Sequence, residues 1–249
     1  MDDVTITTFA ERPALIGTVD SMADIWPEFM HHDPVAKALL WQVVAAFPAL
    51  CIAATDPSGT LVARGRAIPF RWDAPGRDRV LPAAGWDQVL VWGMDDRAGG
   101  ESTDTVSALE IAILPSWLGG GLSGRMLDAM RSAARAAGYA ELLAPVRPTH
   151  KHLYPTMPMA EYIGRLRPDS LPDDPWLRVH VRAGGTIERV APASMVIAGS
   201  LTEWRDRTGL PFEEAGPVPV PQALVPVVCD PVHDYAVYVE PNVWVRHRL

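Results

Sequence analysis

Gly119, Gly120 and Gly121 stand in a row, with Ser123 and Gly124 just beyond them, between an apolar run (LEIAI) and an amphipathic run (RMLDAMRSAARAAG). A glycine loop that opens a helix can hold an anion. The first N–H groups of a helix have no internal partner, the helix dipole adds about half a positive charge there, and glycines leave the backbone open to a phosphate. Glu110 is the only charged residue between Thr105 and Arg125. Partial burial on its strand raises a carboxyl toward neutrality and suits it to removing a proton; the other reading is a glutamate facing solvent. His180, in DPWLRVHVRAGG, titrates near about 6.5 in ordinary surroundings and can donate a proton near neutral pH; the other reading is a histidine on a packed helix face. THKHLYP places His150, His152 and Tyr154 together, but the H-x-H pair has no acidic or sulfur neighbour in sequence, so no metal is expected.

Two familiar phosphate loops do not fit. A Walker loop needs a lysine after its second glycine, and none is there. Gly119, Gly121 and Gly124 satisfy GxGxxG, but the next strand ends in ProValArgPro with no acid for a ribose, as a dinucleotide fold requires.

The elements that must position these residues follow from periodicity and turn chemistry. Strands are expected at 4–9, 51–70 (a hairpin around DPSG), 87–94, 105–114, 140–148, 194–200 and within 223–247. Helices are expected at 20–31, at 33–48 with Asp33 as cap and Pro34 in the first turn, at 121–137 and at 201–209, with a short proline-framed one inside 153–173. Segment 95–104 reads as a polar connection. A meander that switches to a strand–helix–strand unit is an α/β (α+β) fold: a mixed, mostly antiparallel sheet flanked by helices.

The strand ending Ile111-Ala112-Ile113-Leu114-Pro115, followed by Leu118-Gly119-Gly120-Gly121-Leu122-Ser123, resembles the pyrophosphate loop of the GNAT N-acetyltransferase superfamily, usually [Q/R]xxGx[G/A]. Leu118 and Ser123 depart from that pattern at positions whose roles are mainly backbone roles. Residues 174–190 resemble a second family segment, with Asp174 in place of its asparagine, His180 in place of its usual tyrosine and Gly184-Gly185 in place of Gly-Phe. The resemblance covers about residues 4–190, and it implies one domain with an insertion at 150–173 and a C-terminal extension at 191–249. It further implies acyl transfer from acetyl-CoA or another acyl-CoA to an amine of a small or medium organic acceptor, or to a carrier-bound group. The diphosphate would lie on 118–124 and the thioester along 111–113. Glu110 would act as base, His180 as acid to the thiolate, and Arg147, His150 and Tyr154 would contact the substrate. A decarboxylase or S-acyltransferase acting on CoA or carrier-protein thioesters, and a non-catalytic acyl-CoA-binding domain, stay open. The extension implies a larger acceptor pocket or a homodimer contact.

Composition bounds the rest. The net charge is −8 with no basic block, which argues against a nucleic-acid groove. No apolar run reaches the roughly 18 residues of a membrane span. The acidic N-terminal stretch does not read as a signal peptide, so a cytoplasmic protein is expected. Cys51 and Cys229 read as buried free thiols.

Overall fold

The computed structural model describes residues 4–22 and 25–249. Its strands are β1 (Thr5–Thr8), β2 (Ile52–Thr55), β3 (Leu61–Phe70), β4 (Thr105–Ile113), β5 (Glu141–Val146), β6 (Thr186–Gly199), β7 (Gly216–Val218), β8 (Val227–Asp230) and β9 (Tyr235–Arg248). They form one sheet in the order β1-β2-β3-β4-β5-β9-β8-β7, with β6 on β9. All pairs are antiparallel except β4 with β5. The helices are α1 (Pro34–Leu39), α2 (Val43–Ala46), α3 (Gly85–Gly99), α4 (Leu122–Ala136), α5 (Met159–Ile163), α6 (Pro175–Arg182) and α7 (Leu201–Thr208). The expected mixed, mostly antiparallel sheet flanked by helices is the architecture found. Among the described residues no helix is long and apolar enough to cross a membrane. Both cysteines are free and buried.

Strand alternation sorts the central residues onto two faces. On one face, α4 packs Met126 and Met130 against Ala63, Ala67 and Ile52. Gly65 lies beneath this helix: a Cβ there would come within 2.6 Å of the Ile52 side chain and 2.9 Å of Met130. On the other face, α3 and residues from 13–22 and 25–32 cover Ala53, Ile68 and Ala112.

Three expected elements differ. Residues 87–94 are helical, not a strand, and α3 continues through 95–99 of the expected connection. Trp86, Val89, Leu90, Gly93 and Met94 are among its buried residues, a spacing of three and four that marks a helix face; the Val-Leu-Val-Trp run had suggested strand propensity instead. Over 20–31 the described residues form 3-10 turns at Pro13–Ser21 and Glu28–His32, while residues 23 and 24 lie outside the described ones. Pro27 has no N–H for a helix and disfavours helical geometry at Trp26. Segment 33–48 begins as expected, with Asp33 Oδ1 accepting from the Ala36 N–H at 2.7 Å. It then breaks into α1, a 3-10 turn and α2, Leu39 having left helical geometry at φ −123°.

Residues 191–249 are woven into the same sheet. β9 pairs with β5 over Glu141–Val146, with β6 and with β8, so it stands beside the strand that Arg147 directly follows.

Candidate active site

The parallel pair β4–β5 is short. Only Val106↔Leu142 and Ser107↔Leu143 are in register, and beyond them the strands part. A bulge at the same place helps to separate them. Arg66 pairs with Glu110 and Ala67 with Ala108, which leaves Leu109 as an extra residue, and such a residue bends its strand. The Trp86 indole N–H donates to the Leu109 carbonyl at 2.8 Å and fixes the bulge. Opposite, Pro145 has no N–H to offer a neighbouring strand. The gap opens into a cavity of about 1150 Å³. Because of the bulge, Glu110 shares its face with Ala112 but not with Ala108.

One end of the cavity touches the glycine loop. Leu118, Ser123, Ile111 and Ile113 line it. Gly119 (φ +83°) and Gly121 (φ +77°) hold left-handed backbone conformations that glycine alone adopts easily, with nothing within 4 Å of where a side chain would start. Gly121 caps α4 without a side-chain bond to the first helical N–H groups. Gly120 is exposed and Gly124 half-buried. Leu122 packs into the core beneath α4, and Ala112 faces the opposite core.

Glu110 is buried, but not alone. Its carboxylate accepts from Arg64 Nε and Nη2, both at 3.1 Å, from Arg66 Nη1 at 2.7 Å and from the Trp26 indole at 3.0 Å. Arg66 also reaches Asp20 at 3.0 Å. Burial alone would raise the Glu110 carboxyl; the guanidiniums of Arg66 and then Arg64 overcome that and hold it below its ordinary value. The expected rise toward neutrality is therefore corrected: Glu110 is ionised, held by opposite charge.

Across the gap, Glu240 on β9 forms a second cluster. It accepts from Arg147 Nε at 2.9 Å, from the Tyr238 hydroxyl at 2.7 Å and from Asn242 Nδ2 at 3.0 Å. Asn242 accepts in turn from Ser194 at 2.6 Å, and Ser194 from the Trp86 N–H at 2.8 Å. Arg147, Glu240 and Asn242 line the cavity.

His180 lies on the cavity wall, where α6 begins with Asp174 accepting from the N–H groups of Trp176 and Leu177. It is 2% exposed, and Trp176 meets it edge-on at 4.5 Å. Burial, and then the neighbouring His247, push its pKa well below the ordinary histidine value. The expected acid protonated near neutral pH is thus corrected to a neutral imidazole.

The expected substrate contacts separate. Arg147 lines the cavity, as does His152. His150 and Tyr154 do not. The His150 N–H donates to Asp174, and Tyr154 stacks under Arg165 at 4.1 Å. Arg64, Arg66, Glu240 and His247 were not singled out from the sequence. The signal that marked Glu110, a charge inside an apolar strand, marks Arg64 and Arg66 in LVARGRAIPF and Glu240 in YAVYVEPNVWV equally well.

A mixed sheet parted between β4 and β5, with a glycine loop and helix at the mouth of the gap, defines the class. The chain belongs to the GNAT superfamily of N-acetyltransferases, as a divergent member, and is an N-acyltransferase. No family model matches the sequence. The arginine N-acetyltransferase avaD of Aspergillus versicolor is 33% identical over 276 residues, which cover 98% of this chain and 93% of that protein. Among solved structures, the loading GNATL domain of CurA from Lyngbya majuscula has a TM-score of 0.60 at 18% identity, covering 98% of this chain and 97% of that one. The GNAT-like decarboxylase GphF, in complex with isobutyryl-CoA, has a TM-score of 0.56 at 16% identity, covering 98% of both chains. At these identities the two structures speak for the fold.

Proposed function

We propose that this chain transfers the acetyl group of acetyl-CoA to an amine of arginine or a similar guanidino amino acid. The full-length similarity to an arginine N-acetyltransferase suggests the acceptor. The observation that carries the reading is the gap between β4 and β5, which joins the glycine loop to the charged clusters in one cavity.

In this reading the diphosphate lies on residues 118–124, where the uncapped N–H groups of α4 donate to it. The thioester runs beside 111–113, taking the place a neighbouring strand would hold. The cavity wall carries both signs of charge: Asp20, Glu110 and Glu240 against Lys37, Arg64, Arg66 and Arg147. That mixture suits an acceptor with a cationic head and a carboxylate. Asp20 is the most accessible of the acids, its side chain being 70% exposed.

The amine nitrogen attacks the thioester carbon, the C–N bond forms, and the C–S bond breaks with its electron pair on sulfur. Holding both reactants in one cleft supplies most of the acceleration, because the thioester is already activated. The exposed carboxylate of Asp20 draws the ammonium in, and the proton the amine loses passes through water along the Glu110 carboxylate, which stays ionised, and out to solvent.

Acetyl-CoA incubated with arginine and a panel of amines should release thiol and give an acceptor heavier by one acetyl group, with arginine or a close relative turned over fastest. Thiol release from malonyl-CoA with decarboxylation but no acceptor product, or coenzyme binding with no turnover on any amine, would overturn the reading.

A further inference from the structure

The buried contact between His180 and His247 has no part in the chemistry described so far. His180 Nδ1 and His247 Nε2 are 2.9 Å apart. One of the two nitrogens must carry the proton between them, and which one decides what His180 presents to the cavity. His247 itself is fully buried, and its Nδ1 has no hydrogen-bond partner.

Suppose His180 Nδ1 carried the proton. His247 Nε2 would accept it, and a neutral His247 would then bear its own proton on Nδ1, a buried donor with no acceptor. In the reverse arrangement His247 Nε2 donates and its Nδ1 is a bare lone pair. A buried N–H without a partner is the rarer and costlier orphan. His247 is also neutral, with a single proton to place on one nitrogen or the other. Arg131 on α4 disfavours a proton on His247, and together with burial, the larger cause, it pushes that imidazole down to about 4, against a smaller opposing effect of Asp128. The groups acting on the pair are therefore Arg131 and Asp128 from α4, with Trp176 against His180 on α6.

The pair is also accommodated by the backbone. A Cβ at Gly185 would fall 2.7 Å from His247 Cε1 and 2.8 Å from the His180 carbonyl. The Gly185 N–H donates to that carbonyl at 2.8 Å. The glycine that ends the α6 turn leaves the space into which the second imidazole fits.

We propose that His247 is a positioning residue: it donates Nε2–H to His180 Nδ1, fixing His180 as a neutral imidazole whose Nε2–H faces the cavity and hydrogen-bonds the reacting thioester. The Nε2 of His180 makes no hydrogen bond among the described residues. During transfer that N–H keeps its proton. It stabilises the negative charge that develops on the thioester as the C–N bond forms and the C–S bond breaks. The thioester contact rests on the acyl-transfer reading above; the tautomer does not.

Nitrogen-15 NMR of the two imidazoles in the full chain tests the tautomer directly. The expected result is both histidines protonated on Nε2, with the His180 Nε2 resonance shifting on addition of acetyl-CoA. A His180 proton on Nδ1 would overturn the proposal, and so would an Nε2 resonance that acetyl-CoA leaves unmoved in a protein that binds it. In His247→Leu the His180 tautomer should become mixed. The kcat should fall roughly 10²-fold, the scale of losing one preorganised donor, with little change in KM for acetyl-CoA. His247→Gln, whose amide can still donate to Nδ1, should restore most of the kcat. Equal loss in both variants, with the tautomer unchanged, would mean that His247 only packs. If no amine is turned over, the acyl-transfer reading fails while the resting tautomer is still read.

Discussion

The two walls of the cleft are built from the same parts and carry different charge. On the β3–β4 wall, two buried guanidiniums share one carboxylate, Glu110. On the β5–β9 wall, one guanidinium meets one carboxylate, Glu240, and the neutral donors Tyr238 and Asn242 complete its shell. The first wall depends on its acid remaining charged, because without that charge two buried guanidiniums would stand side by side with the exposed Asp20 as the acid that reaches Arg66. The second is neutral as a unit and has hydroxyl and amide partners that can turn. A buried carboxylate between two cations is fixed in its charge, whereas one among neutral donors keeps some freedom to adjust.

Removing the charge from each acid in turn is the sharpest way to break this comparison. Glu110→Gln should destabilise the fold by about 3–5 kcal/mol, the usual cost of leaving buried ions uncompensated, as read by denaturant unfolding. Glu240→Gln should cost less, about 1–3 kcal/mol, because Arg147 also donates to the Gln222 carbonyl at 2.7 Å and is partly solvated. Equal losses would erase the distinction. It would likewise fail if Glu110→Gln abolished turnover with unfolding unchanged, since the carboxylate would then serve chemistry alone.

The acid behind the second wall gives a pH test. Burial, and then the charges of Asp33 and Glu240, push Asp87 up to about 8. Its folded value lies above its unfolded one, so the folded chain holds this proton more tightly. The stability this contributes is complete below about pH 4 and is lost as pH rises through 8. Asp87→Asn should therefore melt with the wild type near pH 4 and about 3–8 °C above it at pH 9. No difference at pH 9 would leave the second wall without this acidic neighbour. The smallest effect is expected at the loop that both walls face. Gly119→Ala at φ +83° should cost about 1 kcal/mol and raise the KM for acetyl-CoA a few-fold, with both clusters intact by unfolding.

The sequence and the structure agree best where a signal is local. The glycines before α4, the amphipathic helix itself and the Asp33 cap need only neighbours in the chain to be recognised. Segment 87–94 misled because Val and Trp favour strands, while the burial spacing that made it α3 depends on what packs against it. Glu110 stood out as a lone charge in its own strand, but its partners come from the register of β3 against β4, which no local pattern encodes. That is why its pKa was expected to move the wrong way. Burial could be read from the run of apolar residues, and the two arginines that outweigh it could not. His247 was invisible for the same reason, its partner lying on a helix 67 positions earlier.

The position of β9 has a consequence for how the molecule is made. Among the described residues β6 has no other strand partner, and β5 on that side pairs with nothing else. A chain still emerging from the ribosome, complete to residue 234, would expose both as bare edges next to an unformed cleft. Synthesis must reach residues 235–248 before the catalytic half can close. Shortening the chain there should give aggregation during expression, not a folded protein with a weakened pocket.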